Sequence, residues 1–337
     1  MLYRIFKSNH PSTILFIIFL SIILWLHMYI NPAENLNLPY DRFEMPLYYG
    51  IERLLINHPV WSVVVPFIML LLNAFLLNWL NASYILLTKT NFMPAIFFII
   101  IVSAYIPLQQ LTPVLFASFF FLLALNALFK TYRQDNKWMR IFDAAIFIAI
   151  GSMFYIKLAF FLVIIWFALL ILRRPSGREF LVSIIGFLIP YAIIGGYLYL
   201  FQGNLSYQLD LSLIRLFSVN NLAMKDYTYL LFYGFLLLLI IVSSFRFIGE
   251  FHIRNVKIRN FFTLFFWVFV TSVVLLITRR IAYDGFIIMM AIPVSYILSN
   301  YYLNIRFRAW ANISLLFLLL FVLIIQLNHY ALIPGIY

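Results

Sequence analysis

Cysteine is absent from this chain of 337 residues, and its five histidines lie far apart. The absence of cysteine excludes disulfide bonds, a thiolate nucleophile, an iron–sulfur cluster and a cysteine-ligated zinc site. The histidines show none of the short spacings that a histidine-based metal site requires. We therefore expect no resident metal or cofactor.

Charged residues are also scarce, at 10% of the chain, whereas soluble domains contain about 25%. Hydrophobic residues make up 65%, and the mean hydropathy is +1.02. A soluble core cannot absorb so much apolar surface, and no polar stretch is long enough to fold outside a bilayer. The composition predicts an all-α fold, a polytopic transmembrane helical bundle, with residues 1–337 as a single integral membrane domain.

Apolar stretches near the ~20 residues that cross ~30 Å of hydrocarbon recur along the chain. They predict about eleven helices. The fifth and sixth are short and are separated by Gly151, Ser152 and Lys157, so half-depth helices and tilted spans both stay open. The predicted spans cover 13–31, 60–80, 94–107, 113–129, 141–155, 157–172, 180–201, 228–245, 260–278, 285–303 and 309–327.

The basic residues lie unevenly on the two sides of the predicted bundle. With the N-terminus in the cytoplasm, 16 of the 23 basic residues fall on the inner side, whose net charge is +12, and the outer side is neutral. The positive-inside rule supports this orientation and explains the pI of about 9.8 without nucleic acid. We expect a multi-pass protein of the bacterial inner (cytoplasmic) membrane that contacts membrane lipids.

The first outer loop, residues 31–59, carries two acids just ahead of a predicted amphipathic helix. Asp41 and Glu44 precede Pro46, and apolar residues at helical spacing predict a helix over 47–57 that lies in the membrane interface. A carboxylate there could act as general base on an acceptor hydroxyl beside a lipid-linked donor. The alternative is a solvated loop in which the two acids pair with nearby arginines.

Four basic residues lie on the outer side, against the general trend. Arg279 and Arg280 adjoin each other in a short turn, and Arg215 and Lys225 lie in the second long outer loop. Arginine binds phosphate through two parallel hydrogen bonds, so these residues are candidate ligands of a lipid phosphate. The alternative is that they anchor the helices among ordinary head groups. A divalent cation held by the two acids of the first loop and a lipid phosphate also stays open.

Three short stretches carry a resemblance to other proteins: Met1–Pro11 before the first helix, Asn78–Asn81 after the second, and Ala291–Ser295. They resemble an uncharacterised family of bacterial polytopic inner-membrane proteins, which implies no particular activity. The order of elements is also similar to membrane glycosyltransferases of the C type, with a cytoplasmic N-terminus, one helix, and an outer loop bearing an acid and a membrane-parallel helix. That resemblance implies Asp41 or Glu44 as the catalytic residue.

Three functions remain from the sequence. The first is a membrane-embedded transferase that uses a lipid-linked (polyprenyl phosphate) sugar donor in the assembly of envelope polysaccharide or glycoconjugates. The second is a non-enzymatic subunit that scaffolds an envelope complex through membrane protein partners. The third is a transporter of a lipid or another amphiphile. The scarcity of acids within the spans argues against an ion-coupled pump.

Overall fold

The computed structural model describes residues 11–30, 45–55, 58–88, 91–132, 137–172, 176–202, 227–277, 283–305 and 307–329. These residues form helices and turns, and no strand occurs among them. The α-helices are α1 Pro11–Leu24, α2 Leu26–Ile30, α3 Pro46–Leu55, α4 Pro59–Tyr84, α5 Met93–Ser103, α6 Pro113–Lys130, α7 Lys137–Ser152, α8 Leu162–Leu172, α9 Gly177–Gln202, α10 Tyr227–Glu250, α11 Val256–Ile277, α12 Tyr283–Leu303 and α13 Arg308–His329.

Within the described residues, seven helices are long and apolar enough to cross a membrane, which indicates a multi-pass membrane protein. Three further apolar helical segments are shorter. The prediction of an all-helical membrane protein is confirmed. The seven candidate spans are Val60–Tyr84, Pro113–Lys130, Gly177–Tyr197, Tyr227–Ile253, Val256–Ile277, Gly285–Leu303 and Ala309–Asn328, and the shorter segments are Ser12–Leu24, Met93–Ser103 and Ile156–Leu172.

The interior of the bundle is built around α5, all of whose residues are buried. This helix packs against α4 and α12, while α6 packs against α4 and α7. Aromatic rings fill the space between them; for example, the rings of Phe97 on α5 and Tyr302 on α12 lie 4.9 Å apart. By contrast, α9 packs mainly on α7, and only 11% of its apolar window is buried. The central helices therefore contact mainly protein, whereas α9 lies at the edge of the bundle.

The first predicted span, 13–31, is not one continuous helix, because it breaks at Trp25. The side-chain amide of Gln326 on α13 donates a hydrogen bond to the carbonyl of Leu24. The amide of Met28 bonds instead to the carbonyl of Trp25, in a tighter turn at 3.1 Å. A side chain that binds a backbone carbonyl in place of its i+4 amide is a recognised cause of a helix kink.

The third predicted span, 94–107, also ends early, because α5 stops at Ser103. Pro107 has no N–H to donate to the Ser103 carbonyl, and it disfavours helical geometry at Ile106. The side-chain amide of Gln109 donates a hydrogen bond to that carbonyl instead, at 2.6 Å. The chain then continues as a short 3₁₀ helix, Ile106–Gln109, and α5 is left with 11 residues, about 16 Å.

The fifth and sixth predicted spans, 141–155 and 157–172, are separated in the structure as α7 and α8. The carbonyl of Gly151 accepts from the amides of Phe154 and Tyr155, which closes α7. A 3₁₀ helix, Ile156–Phe161, leads into α8, which has only 11 residues. An 11-residue helix is about 16 Å long, too short to cross ~30 Å of hydrocarbon unaided.

Candidate functional site: two buried helix connections

The six residues predicted to carry function lie outside the described residues. The structure therefore neither brings them together nor separates them. Asp41 and Glu44 fall in 31–44, Arg215 and Lys225 in 203–226, and Arg279 and Arg280 in 278–282. What the structure does describe is where the helices that flank these segments lie.

Two connections at one end of the bundle lie near those flanking helices. They are the α5–α6 connection (residues 104–112) and the α7–α8 connection (residues 153–161). The ring of Phe154 stacks at 5.5 Å on that of Phe116, in the first turns of α6, so the two connections lie side by side. Most of their residues are buried, which is unusual for turns between membrane helices, because such turns normally reach water.

Helix α3 is attached to the α5–α6 connection by a hydrogen bond. The hydroxyl of Tyr48 donates to the carbonyl of Leu111 at 2.7 Å, and the Tyr48 side chain is buried. The segment 47–57 was predicted to be helical from its apolar spacing, and the structure has a helix over Pro46–Leu55. Tyr48 lies four positions after Glu44 in the sequence.

The first turn of α10 also contacts the α5–α6 connection. The rings of Tyr229 and Tyr105 lie 5.8 Å apart, and both side chains are buried. Tyr229 lies four positions after Lys225 in the sequence.

The beginning of α12 meets the α7–α8 connection. A Cβ atom added to Gly285 would lie 2.4 to 2.5 Å from the ring and hydroxyl of Tyr155, so glycine is what allows this contact. One residue later, the ring of Phe286 stacks at 6.3 Å on that of Phe161. Gly285 lies five positions after Arg280 in the sequence. Helices that follow all three predicted segments thus meet the two buried connections.

The register of α4 against α6 shows how deep the α5–α6 connection lies. The amide of Asn73 donates to the carbonyl of Leu115 at 3.0 Å, and the hydroxyl of Tyr84 donates to Asn126 at 2.7 Å. Both contacts join residues that are 42 positions apart, so Pro113 lies level with Leu71. The first twelve residues of α4 therefore extend about 18 Å beyond the start of α6.

Polar side chains are concentrated in the α5–α6 connection, and two have atoms without a partner. Gln110 is 4% exposed and Thr112 is 0% exposed. The Nε2 atom of Gln110 and the Oγ1 atom of Thr112 have no hydrogen-bond partner among the described residues, nor has Oδ1 of neighbouring Asn73. Buried polar groups in proteins are nearly always hydrogen-bonded, so these atoms are candidates to bind water or a ligand.

These residues do not stand out in the sequence, because 108–112 lies between the predicted spans 94–107 and 113–129 and reads as a short turn. The available signal was that three of the five residues between Pro107 and Pro113 are polar, in an otherwise apolar region. Lys157, which separates the fifth and sixth predicted spans in the sequence, lies on the α7–α8 connection and is 4% exposed. Within the described part of the chain, no three His, Asp or Glu side chains come together as a metal site would require.

A family model matches residues 49–333, which is most of the chain. The chain belongs to DUF6427. This is a family of unknown function, consistent with the predicted membership of an uncharacterised family. The part that matches DUF6427 includes both buried connections, together with Arg215, Lys225, Arg279 and Arg280, whereas Asp41 and Glu44 precede it. No curated protein and no solved structure matches the chain.

At the end of the bundle opposite the two buried connections, this DUF6427 member has a cluster of charged and amide side chains, here called the basic end cluster. Its members are Arg246, Glu250, Arg254, Asn300 and Asn304. The cluster joins the last turns of α10 and α12. The guanidinium of Arg254 lies 3.3 Å from the Glu250 carboxylate and donates to Asn300 at 2.5 Å. It also lies over the ring of Phe247, 5.1 Å from its centroid. These contacts join α10 to α12 and stabilise the helix pair, and of the buried side-chain atoms of the cluster only Nε of Arg254 has no hydrogen-bond partner among the described residues.

Proposed function

We propose that this protein is a membrane-embedded transferase that uses a lipid-linked (polyprenyl phosphate) sugar donor in the assembly of envelope polysaccharide or glycoconjugates. One observation carries the proposal. The helices that follow the three segments bearing the candidate residues all contact the two buried connections, through Tyr48, Tyr229 and Gly285. A site assembled from several segments on a packed scaffold is typical of enzymes.

In this proposal the carboxylate of Asp41 or Glu44 is the general base that deprotonates the acceptor hydroxyl. Arg279 and Arg280, together with Arg215 and Lys225 of the second long loop, bind the phosphate of the carrier lipid. Helix α3 lies in the membrane interface, where it holds the base beside the donor. The hydrogen bond from its buried tyrosine to the α5–α6 connection supports this role, because it fixes α3 against the bundle.

We further propose that the end with the two buried connections faces outward from the bacterial inner membrane and that the N-terminus is cytoplasmic. The charge distribution supports this orientation, since 16 of the 23 basic residues then lie on the cytoplasmic side. The basic end cluster lies on that side in the same orientation. The donor lipid is then used on the outer face, where envelope polymers are assembled.

The proposal is tested with Asp41→Asn and Glu44→Gln in a strain in which loss of the gene has a measurable envelope defect. We expect at least one variant to fail to complement while its abundance in the membrane is unchanged, because an amide cannot accept the proton. The matched controls are Asp143→Asn and Glu179→Gln, which make the same chemical changes elsewhere in the chain. If both loop variants complement as well as the controls do, neither residue is the base and a scaffold role is favoured.

A second candidate, a transporter of a lipid or another amphiphile, is favoured by the short helices α5 and α8. Broken helices in membranes occur where the irregular backbone lines a protein-buried site, as in many transporters. The two functions differ in vesicles of defined composition. A transporter moves a fluorescent lipid between leaflets without an acceptor, whereas a transferase produces a glycosylated product and requires one.

A further inference from the structure

Several buried hydrogen-bond donors belong to the first residues of α6 or to the residues just before them. We propose that the N-terminus of α6 is a binding site for a phosphate group. This inference deepens the proposed function, on which it rests for the lipid-linked source of the phosphate. The observation behind it is independent of the loop residues, because every donor belongs to the described part of the chain.

The first donors are backbone amides. The first N–H groups of an α-helix have no intrahelical partner. At the start of α6, Pro113 has no N–H, which leaves the amides of Val114 and Leu115, and both residues are buried. The helix has 18 residues, so its dipole places a partial positive charge at this end. Amides and dipole together make a helix N-terminus a site for anions.

Thr112 supplies the second kind of donor. It is the N-cap residue of α6, with the extended backbone (φ −119°, ψ 140°) of that position, and its side chain makes no capping hydrogen bond. A threonine at an N-cap normally accepts from the second or third amide of the helix. Here the hydroxyl has no partner among the described residues, so it remains available to donate to an anion.

Gln110 and Asn73 complete the site. The Nε2 group of Gln110 is a donor without a partner in the described structure, two residues before the N-cap. Asn73 donates to the carbonyl of Leu115 in the first turn, while its own Oδ1 has no partner there. Several donors beside one acceptor suit a phosphate that carries one proton, since its charged oxygens accept hydrogen bonds and its P–OH group donates one.

A cation lies on the neighbouring connection. Lys157 follows three residues after Phe154, whose ring stacks on Phe116 in the first turns of α6. The Lys157 side chain is buried, which is costly for a charge in a membrane protein unless it has an ionic or hydrogen-bonding role. Because its connection packs beside α6, we expect its positive charge to add to the attraction of the helix dipole for an anion.

The depth of the site indicates how the phosphate is delivered. The start of α6 lies about 18 Å along the helix axis below the start of α4, whose first residues are apolar. A phosphate on a lipid carrier can reach this depth because its hydrocarbon chain lies among the helices. Free phosphate would have to leave water without a hydrocarbon chain to carry it. The chemistry at the site is the same for both sources, so the experiment must separate them.

The test uses the purified full chain in an uncharged detergent and measures its thermal unfolding midpoint against added undecaprenyl phosphate, undecaprenol and inorganic phosphate. We expect undecaprenyl phosphate to raise the midpoint saturably and undecaprenol to have no effect. Thr112→Val and Gln110→Met should each weaken this binding about tenfold or more, because each removes one donor to a charged group. A response to inorganic phosphate alone would confirm the anion site and assign it to free phosphate.

The control is Thr131→Val, at the other end of the same helix, where the buried hydroxyl already donates to the carbonyl of Leu128 at 2.6 Å. It should leave phosphate binding unchanged. Without a probe, Thr112→Val should not lower stability, because it removes a polar group that has no partner. The proposal is overturned if wild-type protein responds to no phosphate, or if Thr112→Val and Gln110→Met bind it as well as wild type. A buried water then satisfies these atoms.

Failure of this inference is distinguishable from failure of the proposed function. At least one of Asp41→Asn and Glu44→Gln should abolish complementation, and both should leave phosphate binding intact. If the chain binds phosphate but neither acid matters for complementation, the anion site stands and the transferase does not. If the acids matter but Thr112→Val does not change phosphate binding, the transferase stands without this site.

Discussion

Glu250 in the basic end cluster offers a quantitative test of how buried charge stabilises the bundle. Its carboxylate lies 3.3 Å from Arg254 and 4.0 Å from Arg246, and it accepts a hydrogen bond from Asn304 at 2.9 Å. Glu250→Gln keeps the shape and an acceptor oxygen but removes the charge. The guanidinium of Arg254 would then be left in a largely buried place without its counter-charge.

The expected cost follows from the exposure of the two partners. Breaking a fully buried ion pair costs about 3–5 kcal/mol, and an exposed pair contributes about 0–1 kcal/mol. The Arg254 side chain is 10% exposed, but Glu250 is 31% exposed and partly solvated. We therefore expect Glu250→Gln to lower the free energy of unfolding by about 1–2 kcal/mol.

The matched control is Asp143→Asn, which removes the partner of Arg140 at a similar distance, 3.4 Å, on one helix. Both of those side chains are more exposed, at 42% and 35%, so the expected loss is at most about 0.5 kcal/mol and disappears in high salt. The assay is equilibrium unfolding by SDS in mixed micelles at low and high salt. Equal losses for Glu250→Gln and Asp143→Asn would refute the reasoning that burial decides the contribution.

Other variants test packing, a cross-helix bond and orientation. Gly186→Leu should lower the free energy of unfolding by about 1–3 kcal/mol, because a Cβ added there would lie 3.0 Å from backbone and side-chain atoms of α7. Gly196→Leu on the same helix meets nothing within 4 Å and should be neutral in the same unfolding assay. Tyr296→Phe should cost about 1 kcal/mol, because it removes a buried 2.6 Å hydrogen bond to a carbonyl of α4; an unchanged free energy of unfolding would contradict this. Since the chain lacks cysteine, His58→Cys and His252→Cys each introduce a single thiol at an exposed position. An impermeant maleimide applied to intact spheroplasts should label the His58→Cys variant only. Labelling of both variants, or of His252→Cys only, would contradict the proposed orientation.

The sequence predicted well where local hydropathy decides the structure. The predicted spans 113–129 and 285–303 correspond to Pro113–Lys130 and Tyr283–Leu303, within two residues at each end. Proline at the first turn and a long apolar run are local signals that set where a helix begins and how far it extends. The split between the fifth and sixth spans was also visible in the sequence, at Gly151 and Ser152.

The candidate site was predictable only in part. The loop acids and arginines stand out in the sequence because they are charged and lie outside the spans. Gln110 and Thr112 did not stand out, because an uncharged turn of a few residues reads as a solvated connection. Their significance depends on burial and on the lack of a partner, and neither property belongs to the residues alone.

The sequence by itself determined that this chain is a helical membrane protein, because hydropathy is a sum over neighbouring residues. Only the tertiary structure decided how the helices are aligned with one another along the bundle axis. The kink at Trp25 depends on Gln326, 302 residues after the carbonyl it binds, and the depth of the α5–α6 connection depends on a register set by Asn73 and Leu115. Such contacts join residues far apart in the chain, and no local pattern specifies which of them will meet.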